Sequence, residues 1–384
     1  MVLKNKELRS ILAGLPRFPG TRKVKNYSVV NEGFPGKFNL SFTEAEMLDE
    51  FDSYVDITNP LIYSKTQPCI RNVDFEQIST DKGDVTHLGL FDLADIHGQA
   101  ILPTSEKKGD VLRFCIQQIW NFLTEKMGFK PSQIYVSSFK GGWVKQTTGG
   151  KYDFKKKIPA EKLALEIWKD VGLPNNNNNH YTNRETFLSL HLQRPTPWGY
   201  RNEIFVKIKG KLIDVATLEY LIFKPVFKNG KIVDFVEGDI LLAVSGVGIE
   251  RMLMAKNGYG SIVECDHIYP LRQKILQLAK KKDKHRAFVL CEALRVCHRV
   301  FTDCGGYSEL SRTRKELIRK YLRALREGLV FLRVDVSAVK KLLALNSKLQ
   351  DYYPELKKSE GRTYKDIETY VQTLDDLEQR GKLK

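Results

Sequence analysis

An apolar run, LAVSGVGIERMLM over residues 242–254, is broken by Gly246 and Gly248 and restarts after Glu250 and Arg251. A strand that ends at two glycines and resumes as a helix brings bare backbone close to whatever lies above it, and it sets an arginine in the first turn of that helix. Arginine there suits a polyphosphate, because its planar fork of donors never loses its charge. Taken alone, the pattern fits equally well a buried turn with an arginine on the surface. A second segment tips the balance. TQPCIRNVDFEQI carries Arg71 and, after a polar stretch, HLGLFDL carries Phe91. Two apolar segments joined by a charged loop predict a long antiparallel hairpin over residues 67–93. Together these residues supply what ATP needs: Arg71 for the α-phosphate, Phe91 to stack the adenine and Arg251 for the γ-phosphate.

At these segments the chain resembles the class II aminoacyl-tRNA synthetases, which carry an arginine strand, a loop and a phenylalanine strand, followed later by a glycine-rich strand that runs into a helix at Glu-Arg. Within that class it is similar to the alanyl type, particularly the archaeal one. The resemblance is carried by TQPCIRNVDFEQI, HLGLFDLADIHGQAI, LIDVATLEYLIF, SGVGIERMLM and CDHIYPLRQKI, in that order across residues 60–327. It implies an α+β fold, with a class II synthetase antiparallel sheet flanked by helices and followed by an all-helical tRNA-binding domain. Residues 1–38 would form a basic N-terminal extension, 39–270 the catalytic domain and 271–384 the helical domain. ATP, Mg2+, alanine and the acceptor stem of tRNA-Ala are the implied ligands and partners, and the expected reaction is that of an alanine–tRNA ligase. A monomer is expected. The family's editing and C-terminal oligomerisation regions do not fit in the remaining length, so a minimal form is expected as well.

The resemblance also assigns roles. Asp74, His87, Gly246, Gly248 and Glu250 would lie beside the nucleotide with Arg71, Phe91 and Arg251. Of the acids Asp214, Glu219, Asp239 and Glu250, the first and last best match carboxylates that would hold magnesium. Trp198, Thr217 and Val244 fall at amino-acid-pocket positions, and Arg295 falls at a helix arginine on the tRNA side. His87 is read equally as a strand histidine bonded to backbone, and Trp198 as a core tryptophan. One departure stands out. The family has an aspartate that binds the substrate's ammonium where this chain has Val244, and an ammonium buried without an anion costs several kcal/mol. Either another acid, such as Asp239 nearby, has moved in, or the amino acid differs. The alternatives are a paralogue that uses another amino acid or loads a carrier protein, and a catalytically silent RNA-binding protein that keeps the fold.

Charge points to the same class of partner. The net charge is +16, and residues 271–384 hold 27 Lys and Arg against 15 Asp and Glu. Arg312, Arg314, Lys315, Arg319, Lys320, Arg323 and Arg326 recur there at helical spacing, the footprint of a polyanion-binding helix. Where the family reads the acceptor stem with an asparagine-containing loop, this chain has Glu309, Ser311, Arg312, Thr313 and Arg314, so the base pair read does not carry over. The six cysteines stand singly, without a CxxC pair or disulfide framework. Cys291, Cys297, His298 and Cys304 lack the ordinary zinc spacing of ligand pairs two to four apart, and the cysteines read as buried thiols within a helix. No apolar run reaches the roughly 18 to 20 residues of a membrane span, and MVLKNKELRS lacks a signal-peptide core, so no membrane association and a cytoplasmic location are expected.

The elements that would position these residues follow from periodicity. Helices are predicted from SFTEAEMLDEFDSYV, from 107–127, from PAEKLALEIWKDV, and over 271–282, 285–301, 310–327, 336–350 and 364–380. SQIYVSSF predicts a short strand, and RNEIFVKIKG, KLIDVATLEYLIFKPVF and KIVDFVEGDILLAV predict an antiparallel sheet. GGWVKQTTGGKYDFKKK and the five asparagines at 175–179 are read as loops.

Overall fold

The computed structural model describes residues 2–31, 33–34, 36–40, 60–79, 86–103, 108–148, 152–181, 186–189, 197–229 and 231–381. Strands β1 (Arg22–Lys23), β2 (Leu61–Ser64), β5 (Gln99–Pro103), β13 (Lys231–Gly248), β12 (Lys211–Lys228), β11 (Trp198–Ile208), β6 (Ile134–Phe139) and β9 (Asn178–Tyr181) lie side by side in that order. β3 (Thr66–Ile70) pairs with β4 (Leu90–Ala94), which joins β13, and β10 (Phe187–Ser189) joins β11, completing an eleven-stranded sheet. The expected antiparallel centre is present, but β1 with β2 and β6 with β9 are parallel, so the sheet is mixed.

Two segments read as loops are ordered instead. GGWVKQTTGGKYDFKKK contains an antiparallel pair, β7 (Gly142–Thr148) and β8 (Tyr152–Ile158), because β-branched and aromatic residues recur in both arms. The asparagine run makes one 3-10 turn and then opens β9, where Asn177 Nδ2 donates to the Ile134 carbonyl at 2.8 Å. An amide side chain can satisfy neighbouring backbone in this way, which composition alone does not reveal.

The helices are α1 (Asn5–Ala13), α2 (Asn72–Ser79), α3 (Lys108–Asn121), α4 (Leu163–Asp170), α5 (Ile249–Asn257), α6 (Tyr269–Leu278), α7 (Lys284–Cys304), α8 (Arg312–Leu332), α9 (Ala338–Leu349) and α10 (Pro354–Gln379). The last four match the predicted helical stretch closely, and α10 begins ten residues earlier than expected, with a proline in its first turn. α2 is a correction. The first strand of the expected long hairpin ends at Ile70, and the chain then winds so that Phe75 and Ile78, three apart, bury on one helical face. The helix predicted from SFTEAEMLDEFDSYV lies outside the described residues.

One hydrophobic core holds both halves of the chain. It takes Ala243 and Val247 from β13, Ile204 and Val206 from β11, and Leu290, Leu294 and Leu322 from α7 and α8. Leu8, Leu12, Phe18, Val29 and Phe38 sit in it too, so the described part of the N-terminal region is built into the fold and is not a detached extension. A second cluster of Leu61, Tyr63, Ile101, Leu221, Leu242 and Val244 lies on the other face of the sheet. No described helix is long and apolar enough to cross a membrane.

Candidate active site

Register on the three long strands decides which side chains meet. Glu219 on β12 faces Arg201 on β11 and Val244 on β13, and Thr217 faces Glu203 and Gly246. Directly paired residues share a face, so Arg201, Glu203, Thr217, Glu219, Val244 and Gly246 occupy one face of the sheet. Asp214 stands three residues before Thr217, and strict alternation would send it to the opposite face. A register shift between Ile204 and Phe205 leaves Val215 as the extra residue of a bulge and returns Asp214 to the face of the site.

Arg251 reaches this face from the first turn of α5, where Gly248 is the residue before the helix. Its Nη1 bonds Asp214 Oδ2 at 2.8 Å and its Nε bonds the Thr86 carbonyl at 3.2 Å. Arg71 follows β3, its guanidinium 5.0 Å from the ring centre of Phe91 on the adjacent β4. Its charge also acts on Asp214 and Glu203. Neither Gly246 nor Gly248 has a positive φ, and an added Cβ would meet nothing closer than 3.8 Å at either. What these glycines provide is bare backbone beside the cleft. Gly199, by contrast, is required by close approach, since a Cβ there would fall 2.2 Å from the Tyr220 carbonyl oxygen.

Arg201 and Glu203, which sequence reasoning did not single out, organise the acidic wall. Arg201 Nε and Nη2 both bond Glu219 Oε1, at 2.8 and 2.6 Å, and Nη1 bonds Glu203 Oε1 at 3.0 Å. Glu203 Oε2 is buried with no hydrogen-bond partner among the described residues. Burial, then Asp214 and Glu219, push the Glu203 carboxyl up to about 8 against the pull of Arg201 and Arg71. Burial raises Asp214 as well, against the pull of Arg251, Arg201 and Arg71. The only sequence trace of this pair is the alternation of RNE at the head of a strand.

Several expected site residues stand elsewhere. Glu250 is 1% exposed and points into the interior, where Oε2 accepts from the Asp92 N–H at 3.1 Å and Oε1 meets His267 Nε2 at 3.2 Å. Burial raises its pKa, but His267 and Arg295 outweigh that and hold it below the ordinary value. It is therefore a structural carboxylate, engaged in the interior and not presented to magnesium or nucleotide as expected. Trp198 is buried in an aromatic cluster, its ring centre 4.9 Å from that of Phe235, and it belongs to the main core, not to the charged face. Arg295, expected to touch tRNA, is 1% exposed and paired with Glu292, out of reach of any surface polyanion. Asp74 lies in the first turn of α2 and acts on Tyr321 of α8. His87 is half-buried, 3.3 Å from the Thr86 hydroxyl. His298 bonds the Leu356 carbonyl and Asn346, which leaves it no role with Cys291 or Cys297.

The basic helix α8 presents Arg312, Arg319, Lys320 and Arg323 to solvent. Arg314 instead turns inward to the carbonyls of Asn31, Phe34 and Lys37, and Lys320 pairs with Glu76. Arg286, Lys320 and Arg323 line an open groove of about 330 Å³ between α2, α7 and α8.

No family model matches the chain. Among curated proteins it is similar to the alanine–tRNA ligase of Elusimicrobium minutum, 22% identical over 98% of this chain and 42% of the relative. That of Kineococcus radiotolerans is 21% identical over 83% and 35%, and that of Borrelia garinii 24% over 56% and 34%. The chain thus spans between a third and a half of the length of the curated relatives it matches. With its α+β architecture, these matches give the chain a distant, alanyl-tRNA synthetase-like relationship.

Proposed function

We propose that the chain is an aminoacyl-tRNA ligase that activates a small amino acid, alanine in the first instance, with ATP and passes it to the 3′ end of a tRNA. The observation that carries this reading is the convergence of Arg71, Phe91, Asp214 and Arg251 from separated segments onto one face of the sheet. The reaction needs the triphosphate's charge neutralised and the carboxylate held in line with the α-phosphorus. Arg71 stands beside Phe91, so a base stacked on the ring would bring its α-phosphate to that guanidinium. Arg251 would exchange its bonds to Asp214 and Thr86 for the γ-phosphate. The carboxylate oxygen attacks the α-phosphorus, pyrophosphate leaves and an aminoacyl-adenylate forms. A ribose hydroxyl of the tRNA then attacks the acyl carbon and AMP leaves.

Magnesium fits this arrangement through Asp214, a partly exposed carboxylate that would be freed as Arg251 turns to phosphate. One or two carboxylates with phosphate oxygens are a usual magnesium environment. The exposed cations of α8 would meet the tRNA backbone, and their charge supports a nucleic acid over a carrier protein as acceptor. A cytoplasmic, monomeric protein is part of the same reading.

The test is amino-acid-dependent exchange of pyrophosphate into ATP across all twenty amino acids. Arg71→Ala and Arg251→Ala are each expected to lower exchange about a hundredfold, taking each charged contact at about 3 kcal/mol in the transition state. Near-wild-type exchange in both would remove the nucleotide assignment.

A further inference from the structure

The ammonium group of the amino acid lacks the anion that alanyl-type enzymes would offer at the position of Val244. Directly across from Val244, on the same face of the sheet, is Glu219. It is 8% exposed, at the border where the charged wall meets the apolar cluster of Leu221, Leu242 and Val244. Arg201 fixes it in place with two bonds to a single oxygen, Oε1. That same guanidinium also serves Glu203, whose Oε2 is buried without a partner. Once Arg71 and Arg251 turn to phosphate and Asp214 to magnesium, Arg201 is the guanidinium left beside these two acids, and it holds Glu219 through Oε1 alone. A carboxylate oxygen that Arg201 does not engage, at the border of an apolar cluster, favours a cation that carries hydrogen-bond donors.

We propose that Glu219, braced by Arg201 and flanked by Glu203, receives the ammonium of an α-amino acid with a small apolar side chain, in place of an acid at Val244. The anchor has crossed from β13 to β12, a displacement of about 4.8 Å, which is one interstrand spacing. The acid and the apolar residue share one row of the sheet, so the exchange keeps the ammonium on the same side of the cleft. This inference rests on the adenylating reading above.

The experiment measures exchange kinetics of the full chain with ATP and the preferred amino acid. Glu219→Gln is expected to raise the amino-acid KM roughly a hundredfold, the loss of one charge-assisted contact, while the ATP KM stays within about twofold. Adding Val244→Asp to Glu219→Gln is expected to recover at least about tenfold of that loss, which a merely structural role for Glu219 would not allow. If Glu219→Gln is unfolded by thermal melting, Glu219→Asp with and without Val244→Asp gives the same comparison with the charge retained. An unchanged amino-acid KM in the folded variant, or an equal rise in both KM values without rescue, overturns the assignment. Wild-type chain that exchanges with none of the twenty amino acids removes the adenylating reading, and this inference falls with it.

Discussion

The carboxyl of Glu161 is buried beneath the sheet, where it accepts from Asn202, the Tyr220 hydroxyl and the Phe139 N–H. Burial outweighs these donors and pushes its pKa from 4.5 up to about 7. A folded-state value above the unfolded one means that the native protein keeps a proton the unfolded chain has lost. The resulting stability is full below pH 4.5 and is lost as pH rises through 7, a span worth about 3 kcal/mol. Glu161→Gln keeps the shape without the titration. Urea unfolding at pH 5 and pH 8 is expected to show wild type losing about 3 kcal/mol more than the variant between the two, and parallel losses would contradict the buried-proton account. At this scale the placing of Arg71 beside Phe91, and of Arg251 in the first turn of a helix, was legible from residue type and pattern. It misled where type suggested chemistry but burial dictated structure, as with Glu250 and Arg295. Asp214 joined the site only through the bulge at Val215, and Arg201 and Glu203 became visible only once register put them opposite Glu219 and Thr217. None of these follows from spacing along one strand.

Elements transmit position to those residues. Phe91 sits on β4, and the two N–H groups just before it, on Gly89 and Leu90, both donate to the wholly buried Glu292 of α7, at 3.0 and 3.4 Å. Glu292 is balanced by Arg295, and on the following residue of β4 Asp92 accepts from the Tyr353 hydroxyl at 2.9 Å. The helices after Leu271 therefore hold the strand that would carry the adenine platform. Glu292→Gln leaves Arg295 buried and unpaired, and it is expected to cost about 3 kcal/mol in urea unfolding. It is also expected to raise the ATP KM several-fold while leaving the amino-acid KM in place; a change confined to the amino acid would place the clamp elsewhere. The long helices were legible because each repeats an apolar face over four or more turns, as α7 and α8 do. The β7–β8 hairpin, β9 and α2 were not, since lysines, asparagines and a short apolar pair state no period until neighbouring strands or helices satisfy them.

Across the whole molecule, the expected boundary at residue 271 falls inside α6, well after the last strand ends at Gly248, and packing does not break there, because one core runs from β13 through α7 and α8. Surface charge and buried contacts should consequently give different answers to the same question. Arg319 and Arg323 are exposed on α8, steadied by Tyr307 and Tyr370. Reversing both to Glu is expected to weaken tRNA binding and flatten its dependence on salt by about two ion equivalents, with amino-acid activation nearly unchanged, because phosphate contacts add to affinity and not to adenylate chemistry. Ending the chain near Leu271 does something else. It strips Glu292 from Gly89 and Leu90, Tyr353 from Asp92, and Asp303 from the Val29 N–H, leaving buried polar groups without partners beside an exposed apolar surface. That fragment is expected to lose cooperative unfolding and activation together. Binding and exchange assays on the reversed pair, alongside denaturation of the fragment, separate the two effects. A folded fragment with full activation would show that the helical half only recruits the acceptor, whereas collapse of the fragment beside an active charge-reversed chain identifies α7 and α10 as part of the machinery that shapes the nucleotide cleft.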